Sequence, residues 1–133
     1  VEALRRYLEN GGLLFAEACC GRQAFDAAFR REIARVLPGR RMESIARQNM
    51  LYGLPNNIER LTVTPALSAA HGNRASVAPE LYGLPVDNHY AVLYSPYALA
   101  GGWEMSQSPY ALGYRNQDAL RLGENILMYA LTQ

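Results

Sequence analysis

Glu17-Ala18-Cys19-Cys20-Gly21-Arg22 is the segment of this sequence with the most reactive side chains in the shortest span. It follows a short apolar run and precedes an amphipathic one, so it reads as a strand-to-helix turn. A thiol just before a helix gains from the unpaired N–H groups and partial positive charge of the helix start, and a nearby guanidinium lowers its pKa further. Cys20 or Cys19 is therefore a candidate nucleophile with Glu17 beside it, and Gly21 and Arg22 are candidate binding groups. The competing reading is that both cysteines are small buried residues at a tight turn. A second group lies between Ser95 and Arg115, where Tyr97, Trp103, Tyr110 and Tyr114 stand among glycines with Glu104 as the lone acid. Ser95, Trp103 and Glu104 are candidate ligand-binding residues there, since a flat ring beside an acceptor suits a sugar, a base or a peptide. Alternatively, these aromatics lid the sheet end and fill the core.

The two histidines add little to either group. His89 precedes an apolar run rather than following it, which places it away from the expected ligand crevice as a turn or surface residue, and His71 lies in an irregular stretch. Two adjacent cysteines and two isolated histidines lack the spacing of a zinc site, so no metal is expected and no cofactor is implied. Nor can adjacent cysteines form the loop-closing bridge of a small secreted scaffold.

Composition narrows the classes further. The chain has 133 residues, half of them apolar and 19% charged, which fits one globular domain of α/β type and argues against disorder. Its 13 basic residues are all Arg, against 12 acidic ones, for a net charge of +1. The absence of Lys excludes a lysine Schiff base or a lysine phosphate loop, and the balance argues against a nucleic-acid partner, Arg40-Arg41 included. No apolar run is long enough to insert into a membrane as a spanning segment. The opening Val1-Glu2-Ala3-Leu4-Arg5-Arg6 reads as helix without the order of a secretory signal, so the chain is expected to start inside a larger protein and its compartment is unknown.

The elements that must position these groups follow from periodicity. Leu4, Tyr7 and Leu8 mark a first helix over Val1 to Asn10, stopped by Gly11-Gly12. Leu13-Leu14-Phe15-Ala16 reads as a buried parallel strand, and Phe25, Phe29, Ile33 and Leu37 mark a second helix ending at Pro38-Gly39. Met42 to Ala46 and Leu61 to Thr64 are weak strand candidates, and residues 65 to 89 read as a long loop. Tyr90 to Tyr94 is a second strong strand, stopped at Ser95-Pro96. A last helix spans Asp118 to Thr132, with Leu120, Leu127 and Leu131 on one face. Phe29 and Leu127 are expected to face the sheet. The pentapeptide Leu-Tyr-Gly-Leu-Pro at 51–55 returns at 81–85, but unmatched flanks argue against a true repeat. Alternating helices and strands predict an open, mostly parallel sheet.

A family resemblance adds to this. Leu4 to Gly12, the turn Cys19-Cys20-Gly21, Phe25 with Phe29-Arg30, Ala91 to Ser95, Gly102-Trp103-Glu104 and Leu122 to Thr132 resemble a bacterial family of domains of unknown function. The family's fold is similar to that of class I glutamine amidotransferases, and the chain resembles its C-terminal part. The resemblance implies a flavodoxin-like three-layer sheet lacking its N-terminal elements, often attached to envelope-associated proteins, with no established activity. The family's acidic pair is here Glu17-Ala18, and Ala98 lies near another position that is commonly acidic. An amidotransferase also sets its cysteine on an elbow with small residues two positions to either side. Cys19 has Glu17 and Gly21 there, Cys20 has Ala18 and Arg22, and neither histidine begins a His-x-Glu pair. The expectation is a non-catalytic module binding a small ligand or a protein partner, the alternative being a hydrolase or amidotransferase-like enzyme using Cys20 or Cys19. An open sheet edge, or the face of the first helix, further predicts self-association into a homo-oligomer.

Overall fold

Gly11, with φ at +98°, adopts a conformation that L side chains resist, and it ends helix α1 (Glu2–Glu9) so that the chain can turn into strand β1 (Leu14–Glu17). A computed structural model of the chain describes residues 1–18, 23–99 and 112–132. After β1 come helix α2 (Gln23–Val36), strand β2 (Glu43–Ser44), a short 3-10 helix (Met50–Tyr52), strand β3 (Leu61–Thr62) and helix α3 (Pro65–Ala70). Strands β4 (Ser76–Val77), β5 (Tyr82–Val86) and β6 (His89–Ser95) follow, and helix α4 (Asn116–Thr132) closes the order.

The main sheet has four strands in the order β1-β6-β5-β2. β1 and β6 run parallel with Leu14 opposite Val92 and Glu17 opposite Ser95, as expected for the two strongest apolar runs. The rest of the sheet corrects the expectation of a mostly parallel one. β5 pairs antiparallel with β6, and β2 pairs antiparallel with β5, so the sheet is mixed. The cause is local: Asp87, at φ +57°, makes a two-residue turn with Asn88 between Val86 and His89, and so short a link joins only antiparallel neighbours. The β5 strand is hidden in the sequence by Gly83 and Pro85. Gly83 is there because a Cβ would lie 2.4 Å from the Tyr90 ring. Pro85 is tolerated because it sits at a register shift beyond the two residues that pair with β2.

Residues 65 to 89 are thus not a long loop. Thr64 caps α3 through its hydroxyl, which accepts from the Leu67 N–H, Pro65 takes the first helical position, and β4 pairs with β3 in a second, two-stranded sheet. The two copies of the pentapeptide also differ: residues 51–55 form the 3-10 turn and a bend with a cis Leu54-Pro55 bond, whereas 81–85 run into β5.

Alternation along the sheet sends apolar residues to both faces. Leu14, Leu84 and Val92 pack with Leu8 of α1 and with Ile33, Val36 and Leu37 of α2. Leu93 packs on the other face with Leu99, Tyr114 and Ala119, Leu122 and Ile126 of α4. Phe29 lies partly buried with its ring stacked on Tyr94 at 4.6 Å, while Phe25 is exposed. The expected phase of the last helix is overturned, because Leu120, Leu127 and Leu131 share a face that points outward. The inward face is Ala119, Leu122, Asn125 and Ile126. A polar Asn among the buried positions disguised that stripe. Accordingly, in the single chain at low concentration, Leu127→Ala should change stability by less than about 0.5 kcal/mol, whereas Phe29→Ala should cost about 2 kcal/mol. Urea midpoints of the two variants measure the contrast, and equal shifts would reverse the phase.

Candidate functional site

Parallel strands carry ligands beyond their carboxyl ends, and here that end is built from Glu17 on β1 and Ser95 on β6, which lie opposite each other. Ala18 continues the ladder by donating its N–H to the Ser95 carbonyl at 2.9 Å. The Glu17 carboxylate accepts the Leu99 N–H at 2.6 Å, tying the segment after β6 to the tip of β1. Ser95 is fully buried; its hydroxyl donates to the Tyr97 carbonyl at 2.6 Å and accepts the Tyr97 N–H at 3.2 Å, closing a tight turn that aims Tyr97. Ala98 then runs beside Gly113, where a Cβ would sit 2.5 Å from the Ala98 carbonyl oxygen, so only glycine fits this crossing.

Tyr97 stands between two partners. Its ring meets Tyr114 edge to face at 5.9 Å and His71 at 5.8 Å, and its hydroxyl lies 3.3 Å from His71 Nε2. Burial, with Glu80 nearby, pushes the Tyr97 pKa up. A cleft of about 490 Å³ opens here, lined by Arg60, His71, Arg74, Glu80 and Tyr97 among others. Arg60 is held in place by Ser76, donating to its hydroxyl at 2.8 Å and its carbonyl at 2.6 Å. The Glu80 carboxylate accepts the Tyr82 hydroxyl at 2.6 Å, and this bond, with burial, pushes the Tyr82 pKa up to about 12. Two guanidiniums against the one carboxylate, itself bonded to Tyr82, leave the cleft a positive excess suited to an anionic group.

On the α2 face of the same sheet end, Tyr82 and Tyr94 are cross-strand neighbours. The Arg30 guanidinium lies 4.5 Å from the Tyr82 ring centre and 5.6 Å from that of Tyr94, and is paired with Asp26 at 3.0 Å. Burial first and Asp26 second push the Tyr94 pKa up.

Of the residues singled out in the sequence, the structure places Glu17 and Ser95 together at this end, with Tyr97 and Tyr114. Tyr114 fills the core. Cys19, Cys20, Gly21, Arg22, Trp103, Tyr110 and Glu104 lie outside the described residues. His89 starts β6, at the opposite end of the strand from Ser95, whereas His71 is brought to the cleft by α3. Glu80, Arg60 and Arg74 were not legible as site residues, because no motif links them; the β3–β4 pair brings Arg60, the α3-to-β4 turn Arg74 and the approach to β5 Glu80 to the cleft that Tyr97 lines. Among the described residues no group of three His, Cys, Asp or Glu side chains could hold a metal ion. No helix among them is long and apolar enough to cross a membrane.

The molecule is thus a mixed α/β domain with a polar cleft at the carboxyl end of its parallel strand pair. Residues 1–131 match the model of the family described as Domain of unknown function (DUF4159), and the chain belongs to that family. No curated protein matches it.

Proposed function

We propose that this domain is a non-catalytic, amidotransferase-like binding module that takes the anionic group of a small ligand or a protein partner at the carboxyl end of β1 and β6. The observation that carries this reading is the cleft in which Arg60, Arg74 and His71 face one acid, Glu80, already engaged by Tyr82. Apolar packing on both faces of the sheet supports the flavodoxin-like three-layer arrangement that goes with it. The family resemblance adds an envelope-associated bacterial setting. The same reading keeps Gly21, Arg22, Trp103 and Glu104 as candidate ligand-binding residues on the sequence grounds given above.

The alternative, an enzyme using Cys20 or Cys19, is less well supported because the groups that would assist the thiol have other tasks. Glu17 holds the Leu99 backbone, His89 lies at the far end of β6, and His71 engages Tyr97. Thiol labelling separates the two. For a module, iodoacetamide modifies both cysteines slowly below neutral pH, and Cys20→Ser leaves anion binding intact. Rapid labelling there, with a turnover activity that Cys20→Ser abolishes while the melting curve is unchanged, would establish the enzyme instead.

A further inference from the structure

We propose that the outward face of α4 is the contact surface of a two-fold dimer of this chain. Leu120, Leu127 and Leu131 occupy that face at 40%, 60% and 75% exposure. Beside them a shallow apolar groove is bordered by Met50, Leu54 and Met128, at 63%, 52% and 40% exposure. Burying one such side chain removes on the order of 120 Å² of apolar surface from water, so at these exposures the six present roughly 400 Å². One side of a standard interface covers about 800 Å², a little over half of it apolar. The face therefore supplies most of the apolar share of one side, and it is as large as the largest patches, often functional ones, that monomers carry.

Two features select a second copy as the occupant. Leu120, Glu124, Leu127 and Leu131 follow the alternating four- and three-residue spacing of a helix-packing seam, and such a seam is self-complementary when two copies pair antiparallel. Leu120 then meets Leu131 of the second copy, and Leu127 covers the stem of its Glu124. The Glu124 carboxylate stays at the rim, where Asn56 Nδ2 donates to it at 3.0 Å. A net charge of +1 offers little repulsion between copies. This surface differs from the sheet edge and the α1 face expected from the sequence.

Sedimentation of the chain across a concentration series from low micromolar to millimolar tests the assignment. The wild type should shift to a dimer with rising concentration. Leu127→Glu with Leu131→Glu should raise the dimer dissociation constant about a hundredfold or more, while Val1→Glu at the start of α1 leaves it unchanged. Met50→Gln with Met128→Gln, a milder pair, should raise it about tenfold and serves if the charged pair fails to fold. A wild type that stays monomeric at the highest concentration overturns the proposal, and the α4 face then belongs to another occupant. A dimer that survives both pairs, or that Val1→Glu dissociates, overturns it as well.

Discussion

Asn125→Ala should lower the unfolding free energy by about 3 to 5 kcal/mol, one of the two largest effects expected in the molecule. Asn125 is fully buried on the inward face of α4. Its Nδ2 donates to the Leu51 and Asn56 carbonyls, each at 2.8 Å, and its Oδ1 accepts the Asn56 N–H at 3.0 Å. One side chain thereby satisfies three backbone groups of the 51–56 segment, which packs Leu51 and Tyr52 into the core. Removing it leaves those groups without partners, at about 1 to 3 kcal/mol each where water cannot reach them. The Asn56 side chain adds bonds to the Arg121 carbonyl and to Glu124, and Arg121 donates to the Asn57 carbonyl, so the segment is not released entirely. Urea unfolding of Asn125→Ala beside Leu127→Ala checks the size. A shift in the Asn125 variant no larger than that of the exposed leucine would show that α4 does not hold this segment.

The second large effect is alkaline. Stability should be flat up to about pH 10 and fall steeply between about pH 10 and 12. Burial pushes the Tyr52 pKa up to about 12, against the opposing pull of the Leu81 N–H, and the Glu80 bond does the same for Tyr82. Burial pushes Tyr94 and Tyr114 up as well. The sign follows from linkage. The unfolded chain releases its tyrosine protons near pH 10 while the folded chain holds them, so rising pH favours unfolding. The contribution is complete below about pH 10 and lost as pH climbs through the folded values. A shift from 10 to about 12 at Tyr52 corresponds to about 2 to 3 kcal/mol. With no Lys in the chain, no side-chain amine titrates in that window. Urea midpoints from about pH 8 to 12 should therefore trace the tyrosines, with a shallower fall in Tyr52→Phe. An unchanged midpoint at pH 12 would contradict the burial of these hydroxyls.

What the sequence disclosed follows the strength of its local signals. Leu14 to Ala16 and Ala91 to Tyr94 are uninterrupted apolar runs, and both are strands that pair in parallel. Gly11 and Pro38-Gly39 bound α1 and α2 close to where periodicity placed the ends. The misses share a cause: at those positions a contact distant in sequence overrode the local rule. Gly83 and Pro85 are accepted in β5 because of the Tyr90 ring and the short β2 partner. Asn125 is buried because three backbone groups need it, which displaced the apparent stripe to Leu120, Leu127 and Leu131. Glu17 and Ser95 were readable as the ends of the two parallel strands, where they hold the Leu99 backbone and the Tyr97 turn. His71, Arg74 and Glu80 reach Tyr97 only through the α3 turn and the start of β5, which the sequence presented as loop.

Amide chemical-shift mapping, with acetate and inorganic phosphate as separate probes, most directly tests whether the carboxyl end of β1 and β6 is a binding site for an anionic group. Saturable shifts should gather at His71, Gly72, Arg74, Glu80 and Tyr97, the walls of the cleft. Arg74→Ala should weaken binding about tenfold or more, and Cys20→Ser should leave it unchanged. Saturable shifts centred elsewhere, or no saturable shift with either probe in a folded sample, would contradict a binding role for this end of the sheet.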